Sequence, residues 1–236
     1  MLSHTGQLTG TPEVWKTLFK QCGVVQVNNH DELINTIAAF SHSPLPKVNR
    51  VSMISNSGGF SVIQTDLCAA EGMEVPCFSD ETLKTLRQLV PLAGTSISNP
   101  LDAWPIFYKV FQKEGSLTNI IKVVASDENI DSVVFMFDQF RYIRRARKHE
   151  AVEHIKLVIG MMLEGSLYCR EVLGKPVFLS VSLDPFLEDD EDRQDNLILK
   201  RAFEQNHFPV YSSSNVTIRA LARLYKYAVQ TGQAMR

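Results

Sequence analysis

Short apolar runs alternate along this chain with longer stretches in which apolar side chains return every three or four residues. Continuous runs suit strands buried on both faces, and helical spacing suits amphipathic helices laid over them. Strands are therefore expected over residues 50–55, 131–137, 176–181 and 210–211, with a brief extended piece at 75–78. Helices are expected over 60–71, 79–89, 115–126, 150–173 and 196–205, and from Ser214 onward, where Ala220, Leu221 and Leu224 carry the apolar face. Gly72 stops the first of these helices, and Asn99-Pro100-Leu101-Asp102 reads as a loop. Strand and helix in alternation imply an α/β fold, a parallel sheet with helices on both faces.

A small helix–strand–helix segment precedes this unit. Thr11-Pro12-Glu13 supplies an N-cap, a first-turn proline and a first-turn acid. Val14, Leu18 and Phe19 follow at helical spacing, and Gly23 ends the helix. Residues 24–27 read as a short strand. Asn29 or Asp31 caps the next helix, whose Leu33, Ile34 and Ile37 are expected to face the core. The turn-rich stretch 41–46 marks the main boundary, dividing 1–46 from 47–236.

Composition narrows the class without naming a chemistry. With 236 residues, 44% of them hydrophobic and 21% charged, the chain can bury a core as one large domain or two small ones. A formal net charge of -2 gives no reason to expect nucleic acid or an anionic membrane as partner. Cys22, Cys68, Cys77 and Cys169 lack CxxC spacing, as reduced thiols of a cytoplasmic protein would. No apolar run approaches the ~18 residues a bilayer span needs, and the N-terminus lacks the order of a signal peptide. A cytoplasmic protein is the expectation.

Two loops carry the candidate chemistry. Ser3-His4-Thr5-Gly6, followed by Gln7-Leu8-Thr9-Gly10, sets one imidazole among Gly, Ser and Thr, the composition of a backbone-lined anion loop. Ser55-Asn56-Ser57-Gly58-Gly59 makes a second glycine turn after an apolar strand, at the carboxyl end where parallel α/β sheets hold ligands. A neutral imidazole can accept a phosphoryl group as nucleophile when donors hold the transferred oxygens. Ser3, Thr5 and the amides around Gly6 can supply such donors. Gly58 and Gly59 let backbone approach an anion with no Cβ between, and a helix start adds free N–H groups. Each loop also has a plain structural reading. A His beside Gly and Thr is ordinarily a surface residue, and a strand–Gly–Gly–helix turn is often only a tight connection.

The order of these motifs resembles the ADP-forming acyl-CoA synthetases of the succinyl-CoA synthetase superfamily. Ser3-His4-Thr5-Gly6 with Leu8 and Gly10, then Phe19, Gln21, Gly23 and Val24, resembles the family's phosphohistidine segment. Ser55 to Gly59 is similar to its second glycine turn, and Asn99-Pro100-Leu101-Asp102 to its Asn-Pro-x-Asp loop. Pro209-Val210-Tyr211 and Arg219-Ala220-Leu221-Ala222 resemble the end of the same region, so the likeness runs through nearly the whole chain.

The resemblance implies a flavodoxin-like (succinyl-CoA synthetase-like) sheet and the reaction acyl-CoA + ADP + phosphate to acid + ATP + CoA. His4 matches the residue that carries the phosphoryl group. Ser57, Gly58 and Gly59 match the turn whose helix N-terminus holds it, and Asn99 and Asp102 match a structural or nearby-site loop. ATP or ADP, Mg and CoA are implied for the complete enzyme and none for this chain alone. The implied partners are ATP-grasp and CoA-binding domains or subunits, and phosphate. The chain departs from the family pattern at Phe60-Ser61, where the family has Pro-Gly. His4 also sits three residues from the start, which implies a fragment, a split subunit or a degenerate relative that does not complete the reaction alone. The alternative from another class is a non-catalytic scaffold or regulatory module that keeps the fold.

Remaining features read as surface or core. Arg141, Arg144, Arg145, Arg147 and Lys148 form a basic run expected to be a solvated face. His149 and His154 are five apart, which does not place both on one helix face as a metal pair requires, so no metal site is expected. The acidic stretch Asp184, Glu188, Asp189, Asp190, Glu191, Asp192 and Asp195 reads as a surface loop and helix start, and Trp15 and Trp104 as core or interface anchors.

Overall fold

The computed structural model describes residues 11–55, 58–90, 96–102, 116–137, 151–181 and 190–234. Three apolar runs become the central strands β1 (Val51–Ser55), β3 (Ser132–Phe137) and β4 (Val177–Val181). β2 lies between β1 and β3 in the sequence, and β5 follows β4; these are the two-residue strands Leu101–Asp102 and Val210–Tyr211. All pairings are parallel, in the order β2-β1-β3-β4-β5, which is the flavodoxin order.

Successive side chains of a strand point to opposite faces. Val133 and Phe135 of β3 therefore join one core, and Val134 and Met136 the other. The first core is covered by α4 (Asp80–Leu89), α5 (Ser116–Ser126), α6 (Ala151–Leu167) and α7 (Asp190–Gln205), through residues such as Leu86, Ile121, Val158 and Phe203. The second is covered by α2 (His30–His42), α3 (Gly58–Ala70) and α8 (Ser214–Gln230), through Ala39, Cys68 and Leu221. Helices thus flank the sheet on both faces, as the alternation requires. α1 spans Pro12–Cys22 ahead of α2.

Several local expectations are corrected. Residues 24–27 form no strand, and part of the reason is local: the Val24 N–H is already spent on Phe19 O at 2.8 Å, closing the end of α1 behind the left-handed Gly23. Leu33, Ile34 and Ile37 do not face the core; Ile34 is 63% exposed, while Thr36 and Ala39 are the buried residues of α2. The rotation of that helix is set by polar anchors. Arg223 meets Glu32 at 2.7 Å, and the Tyr211 hydroxyl donates to Asn35 O at 3.3 Å. The Asn28 backbone N–H, helped by Arg223 and working against burial, holds the Glu32 carboxyl below its usual range. The long helix expected to Leu173 ends at Leu167 and passes into a π turn, Tyr168–Val172. α7 starts at Asp190 rather than 196, and Asp195 is buried rather than at the surface.

The expected loop at 99–102 is half strand. Leu101 and Asp102 pair with Ile54 and Ser55, extending the ladder at the carboxyl end of β1. Below them Asn99 takes over with its side chain. Its Oδ1 accepts from Met53 N at 3.0 Å, and its Nδ2 donates to Val51 O at 2.8 Å and Pro76 O at 2.9 Å. The β1 edge is therefore satisfied where β2 does not reach it.

Asp127 organises a corner at the amino end of the sheet, just ahead of β3. It accepts from both the N–H and the hydroxyl of Ser79, at 2.8 and 2.9 Å, so the N-cap of α4 is tied to the end of α5. Burial pushes the Asp127 carboxyl up, but the donors from Thr82, Asn129 and Ser79 outweigh it and hold the group below its usual range. Lys175 Nζ closes the same corner by donating to Ala125 O and Asp127 O at 2.6 and 3.2 Å. Burial draws its pKa down from the usual lysine value.

Two outcomes follow from this packing. α5 and α6 touch so closely that a Cβ added at Gly165 would lie 2.7 Å from Ile121 Cγ2. Gly165→Ala should lower stability by about 1–3 kcal/mol in denaturant unfolding, the usual cost of overpacking; an unchanged midpoint would contradict the packing. A carboxylate held below its usual range stabilises the fold above the unfolded value of ~3.9 and loses that contribution as pH falls through the folded value. Asp127→Asn should therefore melt lower than the parent at neutral pH, and the gap should narrow in strong acid. A gap that is constant with pH would show that Asp127 acts by shape alone.

Candidate functional site

The carboxyl edge of the sheet is where chain segments meet. Ser55 and Asp102 are neighbours there, at the ends of β1 and β2. α3 starts at Gly58, directly after the β1 turn, and its first turn carries N–H groups with no intrahelical partner and the positive end of the helix dipole. Asp102 Oδ2 lies 3.4 Å from the position a Cβ on Gly58 would occupy. Gly58 and Asp102, far apart in sequence, are thus brought together. A carboxylate in that place complements the start of α3.

Neither glycine has a positive φ; among the described residues that conformation falls to Gly23, Gly72, Gly174, Gly232 and His207. Gly58 and Gly59 contribute bareness rather than unusual backbone. Nothing lies within 4 Å of a Cβ built on Gly59, so no packing within the described residues demands glycine there. Phe60 is 49% exposed and Ser61 is buried, yet α3 begins before both. The Phe60-Ser61 departure leaves the helix N-terminus in place.

A further polar contact ties this edge together. Gln64 of α3 is buried, and its Nε2 donates to Ser214 Oγ at 3.1 Å at the start of α8. The α8 N-terminus is itself capped by Ser213, whose hydroxyl accepts from Val216 N. Gln64 Oε1 is buried without a hydrogen-bond partner among the described residues. The middle of α3 is therefore linked to the N-terminus of α8 above the second core. Nothing in the local pattern singles out Gln64 or Ser214; the one available signal is a glutamine in the middle of a largely apolar helix.

Other candidate residues fall in different places. Asn99 is separated from the Gly58 turn by its bonds to Val51, Met53 and Pro76 and acts on the strand edge. Ser3, His4, Thr5, Gly6 and Ser57 lie outside the described residues, as do Trp104, His149 and the basic run at 141–148. Trp15 is 38% exposed and packs its ring against Phe19 at 5.5 Å. Among the described residues no group of three or more His, Cys, Asp or Glu is placed to hold a metal ion. No helix among them is long and apolar enough to cross a membrane.

Comparison with known proteins matches this architecture. A family model described as the succinyl-CoA ligase like flavodoxin domain matches residues 1–40. The chain is 27% identical over 229 residues to acetate–CoA ligase [ADP-forming] II of Archaeoglobus fulgidus, covering 96% of this chain and 30% of that protein. It is 36% identical over 100 residues to the alpha subunit of acetate–CoA ligase [ADP-forming] II of Pyrococcus furiosus, 42% of this chain and 21% of that subunit. Among solved structures, a protein of Pyrococcus horikoshii OT3 superposes with a TM-score of 0.68 at 21% identity, over 95% of this chain and 46% of that one. A dinucleotide forming acetyl-coenzyme A synthetase 1 of Ca. Korarchaeum cryptofilum, solved with phosphate and ADP, superposes with a TM-score of 0.69 at 18% identity, over 99% of this chain and 46% of that one. The chain therefore spans about a third or less of these curated relatives and under half of these solved chains. With the flavodoxin strand order and the motif order read above, these matches show that the chain is similar to part of the ADP-forming acetate–CoA ligases.

Proposed function

We propose that this chain is the phosphohistidine-bearing part of an ADP-forming acyl-CoA synthetase, interconverting acyl-CoA, ADP and phosphate with free acid, ATP and CoA. It works with ATP-grasp and CoA-binding domains or subunits, in the cytoplasm. The observation that carries the reading is the start of α3: two glycines at the carboxyl edge of a parallel sheet, with no packing contact from the described residues within 4 Å of a Cβ on Gly59 and with Asp102 alongside Gly58.

In this reading His4 takes the phosphoryl group on an imidazole nitrogen, and Ser3, Thr5 and the amides around Gly6 hold its oxygens. Ser57, Gly58 and Gly59 present the N-terminus of α3 to the same group, since peptide N–H groups and the helix dipole favour a doubly charged oxyanion. Asp102 sits beside that helix start and steadies it, or orients the imidazole once His4 docks. Nucleotide, Mg and CoA come with the partner domains and supply the phosphoryl donor and acceptor. The competing non-catalytic reading draws on Phe60-Ser61, but α3 keeps its start at Gly58 despite that change.

The test supplies the partner functions from an ADP-forming relative, with Mg²⁺ and γ-labelled ATP, and measures acid-labile label on this chain. The parent should label and His4→Ala should not. Gly59→Val should fold, since a Cβ there meets no packing contact from the described residues, yet label at least about tenfold more slowly, as the loss of roughly 1.4 kcal/mol of transition-state contact implies. Equal labelling of His4→Ala and the parent would rule out His4 as the carrier. Normal labelling of Gly59→Val would remove α3 from the site.

A further inference from the structure

The amino edge of the sheet, at the opposite end from the glycine turn, carries a second cluster of chemistry. α2 ends at His42, and the turn after α7 brings His207 against it. The two rings stack with centroids 5.8 Å apart and planes 25° from parallel. Arg170, in the π turn after α6, forms another wall of the same cleft, which has a volume of about 480 Å³ and is completed by Ser41, Ser43 and Pro44.

Several features distinguish this cleft from an ordinary surface turn. Arg170 is fixed in place: Nε donates to Glu171 at 2.8 Å, Nη1 donates to Asn206 O and His207 O at 3.0 and 2.9 Å, and the guanidinium lies 4.1 Å from the centre of the Phe208 ring. Its Nη2 has no partner among the described residues. Neither do the ring nitrogens of His42 and His207, although both side chains are exposed to solvent. Ser43 Oγ is buried with no hydrogen-bond partner among the described residues. His207 holds a φ of 58°, the left-handed region that a non-glycine residue enters at a cost.

A buried hydroxyl without a partner is costly, and a guanidinium beside two imidazoles is a concentration of donors lacking an acceptor. Glu171 balances Arg170 only on its Nε side. One ligand chemistry answers all of these groups at once. A tetrahedral oxyanion can accept from Ser43 Oγ, from Arg170 Nη2 and from an N–H of each imidazole, and charge-assisted bonds of this kind are the strong ones. A metal cation is disfavoured by the fixed guanidinium in the wall. We propose that the cleft between the end of α2 and the α7–β5 turn is a binding site for a phosphate-type oxyanion, formed by Arg170, His42, His207 and Ser43. It is spatially separate from the carboxyl-edge site and does not depend on the function proposed for it.

The shared chemistry is a phosphate group, free or carried by a nucleotide, and the test separates the two. The full chain is titrated with inorganic phosphate, and separately with ADP, at fixed pH and ionic strength, following the backbone amides of Ser43 and Asn206 by NMR. Saturable shifts are expected with at least one of them; stronger binding of phosphate marks a site for the free ion, and stronger binding of ADP a site for a nucleotide's phosphates. His42→Gln with His207→Asn should weaken that binding roughly tenfold or more, since each lost charge-assisted bond is of that order. Asn tolerates the left-handed backbone, and the exposed positions leave folding intact. The proposal is overturned if neither ligand shifts these amides, if the double variant binds as the parent does, or if Zn²⁺ binds there and phosphate does not.

Discussion

A parallel sheet leaves its edge strand with a row of unpaired N–H and C=O groups, and each one buried without a partner is costly. β1 is that strand on one side, because β2 reaches only Ile54 and Ser55. The Asn99 carboxamide meets the requirement below this point by serving the Met53 N–H and Val51 carbonyl together. Its third bond, to Pro76 O, ties in the segment that follows α3. The residues immediately after Asn99 are then obliged to run alongside β1, which delivers Asp102 to the start of α3. The candidate site exists where it does because one amide side chain replaces part of a strand.

The same economy recurs at other corners. Asp127 joins the cap of α4 to the end of α5, Gln64 joins α3 to α8, and Arg223 fixes α2 through Glu32. The apolar layers supply most of the driving force, since burial is non-directional and extensive. These few polar contacts decide which face of each helix is used and where each helix begins. α2 shows the division of labour. Its larger apolar residues, Leu33, Ile34 and Ile37, stay exposed, because the polar anchors turn Thr36 and Ala39 inward.

How much was legible in the sequence follows from this division. The central strands are plain in Val51–Ser55, Ser132–Phe137 and Val177–Val181, because burial on both faces leaves continuous apolar runs. β2 is illegible as a strand: two residues show no period, and its place depends on a hydrogen bond from a side chain. The rotation of α2 is illegible because apolar residues lie on more than one of its faces and a distant arginine chooses between them. Gly58 and Gly59 are legible as a bare turn, but their meeting with Asp102 depends on the sheet. The stacked His42 and His207 carry no local signal, since only the return of the chain after α7 brings them together.

The central claim is that Asn99 holds the carboxyl edge in register and so sets the relation of Asp102 to Gly58. Replacing Asn99 with Ala while following amide exchange and chemical shifts tests it directly. The account predicts faster exchange at Met53 and a shifted Gly58 amide, with global stability reduced by about 1–3 kcal/mol for the buried groups left unpaired. Unchanged exchange at Met53 together with an unmoved Gly58 signal would contradict it.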